Sequence, residues 1–330
     1  MRPINADMIL GMARAYMESR ILFTAVELDL FTLLSDSPKT LDEAAAAKDA
    51  STRGMAILLD ALAAMGLLEK TDGLYACPPE VAALMSAGHP DSILPMVKHS
   101  GSLWARWSEL TDIVREGKGS ERPSGAFDDP EELAAFIGAM HVVGRHAAED
   151  FARQADAGNA KNLLDVGGAT GTYAEAFLQL NPEMRATVFD RPPVIEMARK
   201  RLEKTAVMPR VTLAAGDFYA DSLPGGHDLV LLSAIIHQNS PEQNVTLYRK
   251  CFDALVPGGR LIIRDHVLSS DRTRPVGGAL FAVNMLAATN AGNCYTLDEI
   301  RETLEAAGFT GVRLVKDGER MDAMVEAFKP

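Results

Sequence analysis

The chain has 330 residues, 47% of them apolar, which is enough for two domains with hydrophobic cores. Its net charge of −12 argues against a nucleic-acid backbone as partner. The three cysteines, Cys77, Cys251 and Cys294, lie far apart and lack metal-ligand spacing, so no metal site is expected and the thiols read as reduced. With no signal-peptide pattern at the start, and no run reaching the ~20 apolar residues a membrane helix needs, the expectation is a cytoplasmic protein.

In chain order, residues 1–100 read as a helical unit. Met8 to Leu34 carries apolar residues on more than one helical face, among them Met8, Ile9, Met12, Tyr16, Val26 and Phe31. This predicts one helix buried on several sides, in part by a second subunit. Thr40-Leu-Asp-Glu opens a short helix with capping-box spacing, and Ser51-Thr-Arg-Gly-Met opens the next. Leu67 to Tyr75 reads as a hairpin turning at Asp72-Gly73. Helix, turn, helix and wing give a winged-helix-like order, which raises the reading of a DNA-binding regulator. The helix over Thr52 to Met65 offers only Arg53 as a cation, and residues 1–100 hold 8 Lys or Arg against 13 Asp or Glu. Electrostatics argue against DNA.

Residues 101–156 read as linking helices. A helix with Trp104 and Trp107 precedes a polar loop, Gly117 to Gly125. One long helix is then predicted from Pro130 through Met140 and His141 to about Asp156, leading straight into the next strand. Phe136, Met140 and Val143 at helical spacing fit core packing as well as substrate contact. His141 and His146 fit a partly exposed helix face better than a catalytic role.

Residues 157–330 hold the most informative stretch, Leu163-Leu-Asp-Val-Gly-Gly-Ala-Thr-Gly171, with Asp190 following Gly171 by 19 residues at the end of another apolar run. Strand, glycine turn, helix, strand and acid make a nucleoside-binding βαβ unit, in which Gly167 and Gly168 admit the ligand and Asp190 can accept both ribose hydroxyls. Two departures from a dinucleotide fingerprint matter: Asp165 opens the turn, and Ala169 stands where the glycine that admits a pyrophosphate would be. An acidic turn repels diphosphate and suits a cation, so S-adenosyl-L-methionine fits better than NAD. Gly216-Asp217-Phe218 ends a third strand, where Asp217 can accept from an adenine amino group and Phe218 can cover the ring. His227 to His237 is predicted as a buried strand ending at His237, and after Val256-Pro-Gly-Gly a further strand runs from Arg260 to Asp265. Histidine is the residue type suited to proton transfer near neutral pH, and His237 is placed at the same sheet edge, so it suits a general base for a hydroxyl acceptor. Asn284, Met285 and Thr289 sit at helical spacing where they can face the acceptor, and Met285 and Phe281 fit core equally well. Thr296-Leu-Asp-Glu299 is a capping box, and strands over Gly311 to Lys316 and Met321 to Phe328 are expected to pair antiparallel.

Together these motifs resemble the class I S-adenosylmethionine-dependent methyltransferases and, more narrowly, the two-domain small-molecule O-methyltransferases that include plant phenolic, acetylserotonin and bacterial natural-product enzymes. Asp165 to Gly171, Asp190, Gly216-Asp217-Phe218, His237-Gln238-Asn239 and Pro257-Gly258-Gly259 stand where that family has its glycine motif, strand-end acid, Gly-Asp-Met/Phe, His-Asp-Trp and Pro-Gly-Gly. The resemblance implies a mainly α winged-helix-like dimerisation domain before a Rossmann-like α/β methyltransferase domain at 157–330, S-adenosylmethionine as cofactor with S-adenosylhomocysteine as product, and a homodimer. It implies a roof over the methyl group that includes Met140, and His237 as the base with Asp265 at the next strand end, shorter than the usual Glu. Ser233 takes the place of a cofactor-proximal Lys of plant members, and Cys294 that of a second Glu which orients the histidine. A sulfur, nitrogen or carbon acceptor on the same fold stays open.

Overall fold

The computed structural model of the protein describes residues 4–86, 89, 91–119 and 129–330, so the polar loop expected over Gly117 to Gly125 lies, from residue 120 on, outside the described residues. The chain forms two compact units, Met1–Ser102 with Ala134–Val142, and Leu103–Leu133 with Val143–Pro330.

In the first unit the expected single helix over Met8 to Leu34 is three, Ala6–Arg14, Tyr16–Glu27 and Leu30–Asp36. Asp29 takes a left-handed φ of 48° and so ends the second of them. Nor is the stretch uniformly buried: Leu30, Phe31 and Leu34 enter the core, whereas Ile9, Met12 and Tyr16 are exposed. Capping boxes at Thr40 and a cap at Ser51 start the helices Leu41–Ala47 and Thr52–Ala64. Strand β1 (Lys39–Thr40) joins the hairpin of β2 (Glu69–Thr71) and β3 (Leu74–Ala76). Asp72 and Gly73 both have positive φ, as a two-residue hairpin turn requires. Leu59, Leu62, Phe31 and Tyr75 pack in the middle of one core.

The second unit is built on a seven-stranded sheet. Five strands are parallel: β4 (Asn162–Val166), β5 (Arg185–Asp190), β6 (Val211–Ala215), β7 (His227–Ser233) and β8 (Leu255–Asp265). After β8 come the short parallel pair β9 (Val267–Leu268) and β10 (Tyr295–Thr296), then β11 (Thr310–Lys316) and β12 (Ala323–Phe328). The order is β11-β12-β8-β7-β4-β5-β6, with β12 antiparallel to both neighbours. Leu229 to Leu232 are buried on both faces of the sheet, as the unbroken apolar run demands. One face packs on helices Pro241–Ala254 and Leu297–Ala306, the other on Ala148–Ala155, Thr172–Leu180 and Pro192–Leu202.

Two expectations need correction. The single helix predicted from Pro130 to about Asp156 is two, Pro130–Arg145 and Ala148–Ala155, separated at His146-Ala147 where the φ, ψ of Ala147 fall to −104° and −15°. Strand β7 ends at Ser233 rather than at His237: Ala234 turns left-handed (φ 59°) and a short 3-10 turn, Ile236–Gln238, carries the histidine.

Candidate active site

Five adjacent parallel strands bring their carboxyl ends to one edge of the sheet, the edge at which open α/β sheets bind ligands. At its centre the chain leaves β4 through Gly167 (φ 67°), Ala169 (φ 48°) and Gly171 (φ 75°), a run of left-handed residues that turns it sharply into the helix Thr172–Leu180. Neither of the paired glycines has room for a side chain. A Cβ on Gly167 would meet Ile235 Cδ1 at 2.5 Å, and one on Gly168 the Asp165 carboxylate at 2.8 Å. The Gly167 N–H donates to the Phe189 carbonyl at 2.8 Å, which ties the turn to β5.

Two acids flank this turn. Asp190 ends β5; its Oδ2 accepts from the Ala169 N–H at 2.9 Å and its Oδ1 from the Arg191 N–H at 2.7 Å. Burial raises its pKa, and those two N–H groups oppose the rise. Asp165, 2% exposed, has an Oδ2 without a partner among the described residues. Burial pushes its pKa up to about 7; the Ala174 N–H pulls it down and the charge of Asp190 pushes it further up. Neither acid forms an ion pair among the described residues, so the turn is an acidic concavity lined with backbone. A ligand carrying ribose hydroxyls and positive charge fits it, and a pyrophosphate does not.

Two strands away, the imidazole of His237 lies against Asp265 at the end of β8. Nδ1 is 2.9 Å from each carboxylate oxygen, and a carboxylate only accepts, so Nδ1 carries the hydrogen and donates it. Oδ1 of Asp265 also accepts from the His266 N–H at 2.8 Å. Nε2 of His237 is thereby the nitrogen with the lone pair, with no partner among the described residues. Phe281 sits edge-on to His237 at 4.9 Å between centroids and tilted against His266 at 5.0 Å. His266 is buried with an unpartnered Nδ1, and burial lowers its pKa, so it stays neutral at pH 7. The loop before β10 covers the histidine's turn: the Asn293 N–H donates to the His237 carbonyl at 2.8 Å, and a Cβ on Gly292 would strike that oxygen at 2.5 Å. Cys294 is buried, its thiol pushed up to about 12 by burial with the charge of Asp265 adding, so it carries no charge to hold an imidazolium.

The remaining sequence-derived positions separate. Asp217 accepts from the Tyr219 N–H at 2.9 Å, and Phe218 packs on Tyr219 at 4.6 Å. Ser233 accepts from Arg264 Nη1 at 3.3 Å. Asn284 Oδ1 accepts from Trp107 Nε1 at 3.0 Å, and Met285 is buried. Thr289 is not at a helical position, since the helix Val276–Ala288 ends before it; its hydroxyl donates to the Met285 carbonyl and accepts from the Gly292 N–H. Met140 and His141 are half-buried on the part of Pro130–Arg145 that belongs to the first unit.

Sequence reasoning missed three participants. Asn239, where the resembling family has an aromatic residue, is fully buried and organises the histidine's turn. It accepts from Tyr219 Oη at 2.5 Å, donates to Asn244 Oδ1 at 2.9 Å and takes the Tyr295 hydroxyl on its carbonyl. Arg264 and His266 flank Asp265, and the signal for them was three consecutive polar residues closing the apolar run Leu261-Ile262-Ile263. Among the described residues no group of three His, Cys, Asp or Glu is placed to hold a metal, and no helix is long and apolar enough to cross a membrane.

A parallel sheet with a glycine turn between two acids, and a histidine on a carboxylate at a neighbouring strand end, defines an α/β enzyme that transfers a group from an adenosyl donor. Residues 107–310 match the O-methyltransferase domain, and residues 10–83 the O-methyltransferase dimerisation domain. The chain is 32% identical to the tetracenomycin polyketide synthesis 8-O-methyl transferase TcmO of Streptomyces glaucescens, over 92% of this chain and 91% of the relative. It is 30% identical to the 3-hydroxy-5-methyl-1-naphthoate 3-O-methyltransferase of Streptomyces sahachiroi, over 94% and 91%. The crystal structure of human N-acetylserotonin methyltransferase in complex with S-adenosylmethionine superposes with a TM-score of 0.84 at 26% identity, covering 99% of both chains. The protein belongs to the S-adenosylmethionine-dependent O-methyltransferase family, with that family's dimerisation domain at its amino-terminal side.

Proposed function

We propose that this methyltransferase acts on a hydroxyl of a flat aromatic molecule, with His237 as the general base. The observation that carries the reading is the orientation of one imidazole: Asp265 holds Nδ1–H, which leaves the Nε2 lone pair for a proton. When bound, S-adenosylmethionine supplies an electrophilic methyl group on a sulfonium sulfur. With the donor held at the turn, His237 Nε2 would take the hydroxyl proton of the acceptor while the methyl group left its sulfur for that oxygen, and the Asp265 carboxylate would stabilise the resulting imidazolium. A placed base of this kind contributes about 10²–10⁴-fold. In the same reading Asp190 takes the ribose hydroxyls, Asp217 and Phe218 the adenine, and Gly167-Gly168 with Asp165 the methionine end. Phe281, Asn284 and Met285 line the acceptor side.

Aromatic acceptors are supported by Phe281 beside the two imidazoles and by the naphthoate and polyketide named for the two bacterial relatives. Incubation with S-adenosylmethionine and a panel of naphthols, matched aryl amines and aryl thiols tests it by mass spectrometry. The expected result is methylated naphthol with equimolar S-adenosylhomocysteine. Turnover confined to the amines or thiols would contradict the reading.

The protein is further read as a homodimer through its first unit. Ile4, Ile9 and Met12 are 78%, 56% and 66% exposed on or beside the first helix, an apolar face that a second copy would cover. Light scattering on the eluting protein should give twice the chain mass, and a monomer at micromolar concentration would contradict it.

A further inference from the structure

Arg264 is a buried cation that touches no carboxylate among the described residues; the Asp322 carboxylate acts on it only through space. It is 5% exposed, lies in no ion pair among the described residues, and its Nε has no partner. Its guanidinium makes one long hydrogen bond, Nη1 to Ser233 Oγ at 3.3 Å, and stacks on the Tyr173 ring with Cζ 4.9 Å from the centroid. A buried guanidinium with an unfilled N–H donor and no carboxylate in contact favours an anion that supplies one. Tyr173 Oη is a second buried polar atom with no partner, so two unsatisfied groups meet here.

The strand register says what lies beside them. Ser233 pairs with Arg264 across β7 and β8, and on its other side β7 runs beside β4, where Leu232 pairs with Val166. One residue further, Ser233 therefore neighbours Gly167. A guanidinium resting on Ser233 Oγ is therefore held by the strand next to the one that feeds the glycine turn, and the same segment brings Ile235 against Gly167. The turn itself is acidic and rejects anions, which confines an anionic group to the Arg264 side.

We infer that Arg264, with Ser233, is the subsite that binds the carboxylate of the methionine end of the donor, a role carried by this chain's own arginine and serine. The inference rests on the donor binding at the Gly167-Gly168 turn. With Asp190 on the ribose hydroxyls, the donor's cationic groups would be left to Asp165 and its carboxylate to Arg264, so the socket would sort charge by sign. A guanidinium offers paired N–H donors that match a carboxylate.

Calorimetry with three ligands tests this on the whole protein: S-adenosylhomocysteine, its analogue lacking the carboxylate, and 5′-methylthioadenosine, which lacks the whole amino-acid end. The wild-type protein should bind the decarboxylated analogue at least tenfold more weakly than S-adenosylhomocysteine; equal affinity would overturn the inference without any variant. Arg264→Met should lose tenfold or more in affinity for S-adenosylhomocysteine and stay within twofold for methylthioadenosine, with Arg264→Lys in between. Equal losses for both ligands would assign Arg264 a structural role only, which also overturns it. If Arg264→Met does not fold, the wild-type comparison and Arg264→Lys decide. Failure of all three ligands to bind would strike the donor assignment itself and is thereby distinguished from failure of the subsite.

Discussion

The end of the site proposed for the donor and the end proposed for the acceptor lie at one sheet edge and are built by different means. The donor end is a short local device: Asp165 to Gly171 and Asp190 lie within 26 residues and are held by backbone hydrogen bonds. The other end joins side chains from three separated segments, His237, Asp265 28 residues on, and Phe281, with the backbone N–H of Asn293 from a fourth. A backbone-built cradle tolerates little but glycine, since a Cβ at Gly167 or Gly168 meets neighbours at 2.5 and 2.8 Å. A side-chain pocket can change its occupants one at a time. This difference explains how one fold keeps a single donor while relatives carry names with different acceptors.

If the two ends are separable, variants at one should leave the other's observable alone. The largest effect is expected from Asp265→Asn, which removes the acceptor that fixes the His237 tautomer; kcat should fall by about 10²–10⁴ with affinity for S-adenosylhomocysteine unchanged by calorimetry. A comparable loss of cofactor affinity would join the two ends. Next, Asp190→Ala deletes the acid assigned to the ribose hydroxyls, and the dissociation constant for S-adenosylmethionine should rise by about 10–10² because charge-assisted hydrogen bonds are worth ~1.5–3 kcal/mol each. An unchanged constant would free Asp190 from the cofactor.

A smaller effect follows from Asp165. In the ligand-free protein its carboxyl is pushed up to about 7, so the protonated form is favoured by folding. Its contribution to stability is present below its ordinary pKa near 4 and is lost as pH rises through 7. A cationic donor needs the ionised form, so its binding should release a proton below pH 7 and tighten severalfold between pH 6 and 8. Asp165→Asn should melt higher than wild type at pH 8 without ligand and bind S-adenosylmethionine more weakly with no such pH dependence. Affinity that stays flat with pH in the wild-type protein would separate Asp165 from the cationic end.

What the sequence disclosed follows the same division. The glycine turn and strand-end acids were readable because their chemistry is contiguous and periodicity places it at strand ends. The Asp72-Gly73 hairpin and the capping boxes at Thr40 and Thr296 were readable for the same reason. Breaks in the two long helices were not: Asp29 ends a helical turn with no glycine or proline beside it, and Gly144 lies inside the last turn of its helix rather than after it. The true seat of His237 depends on a left-handed Ala234, a conformation that alanine does not announce. Asn239 reads in sequence as a lost aromatic wall, and only the fold brings Tyr219, Asn244 and Tyr295 around it. Arg264 shows in sequence only as one of three polar residues closing an apolar run, and the fold is needed to set it on Ser233 and Tyr173.

The most direct test of the account is single-turnover methylation of a naphthol acceptor by His237→Ala over pH 6–9, set beside calorimetry of the same variant with S-adenosylhomocysteine. The account predicts a rate about 10²–10⁴-fold lower at neutral pH, recovering as pH approaches the phenol's own pKa near 10, with cofactor affinity within twofold of wild type. A variant that keeps the wild-type rate and pH profile while binding cofactor normally would contradict it.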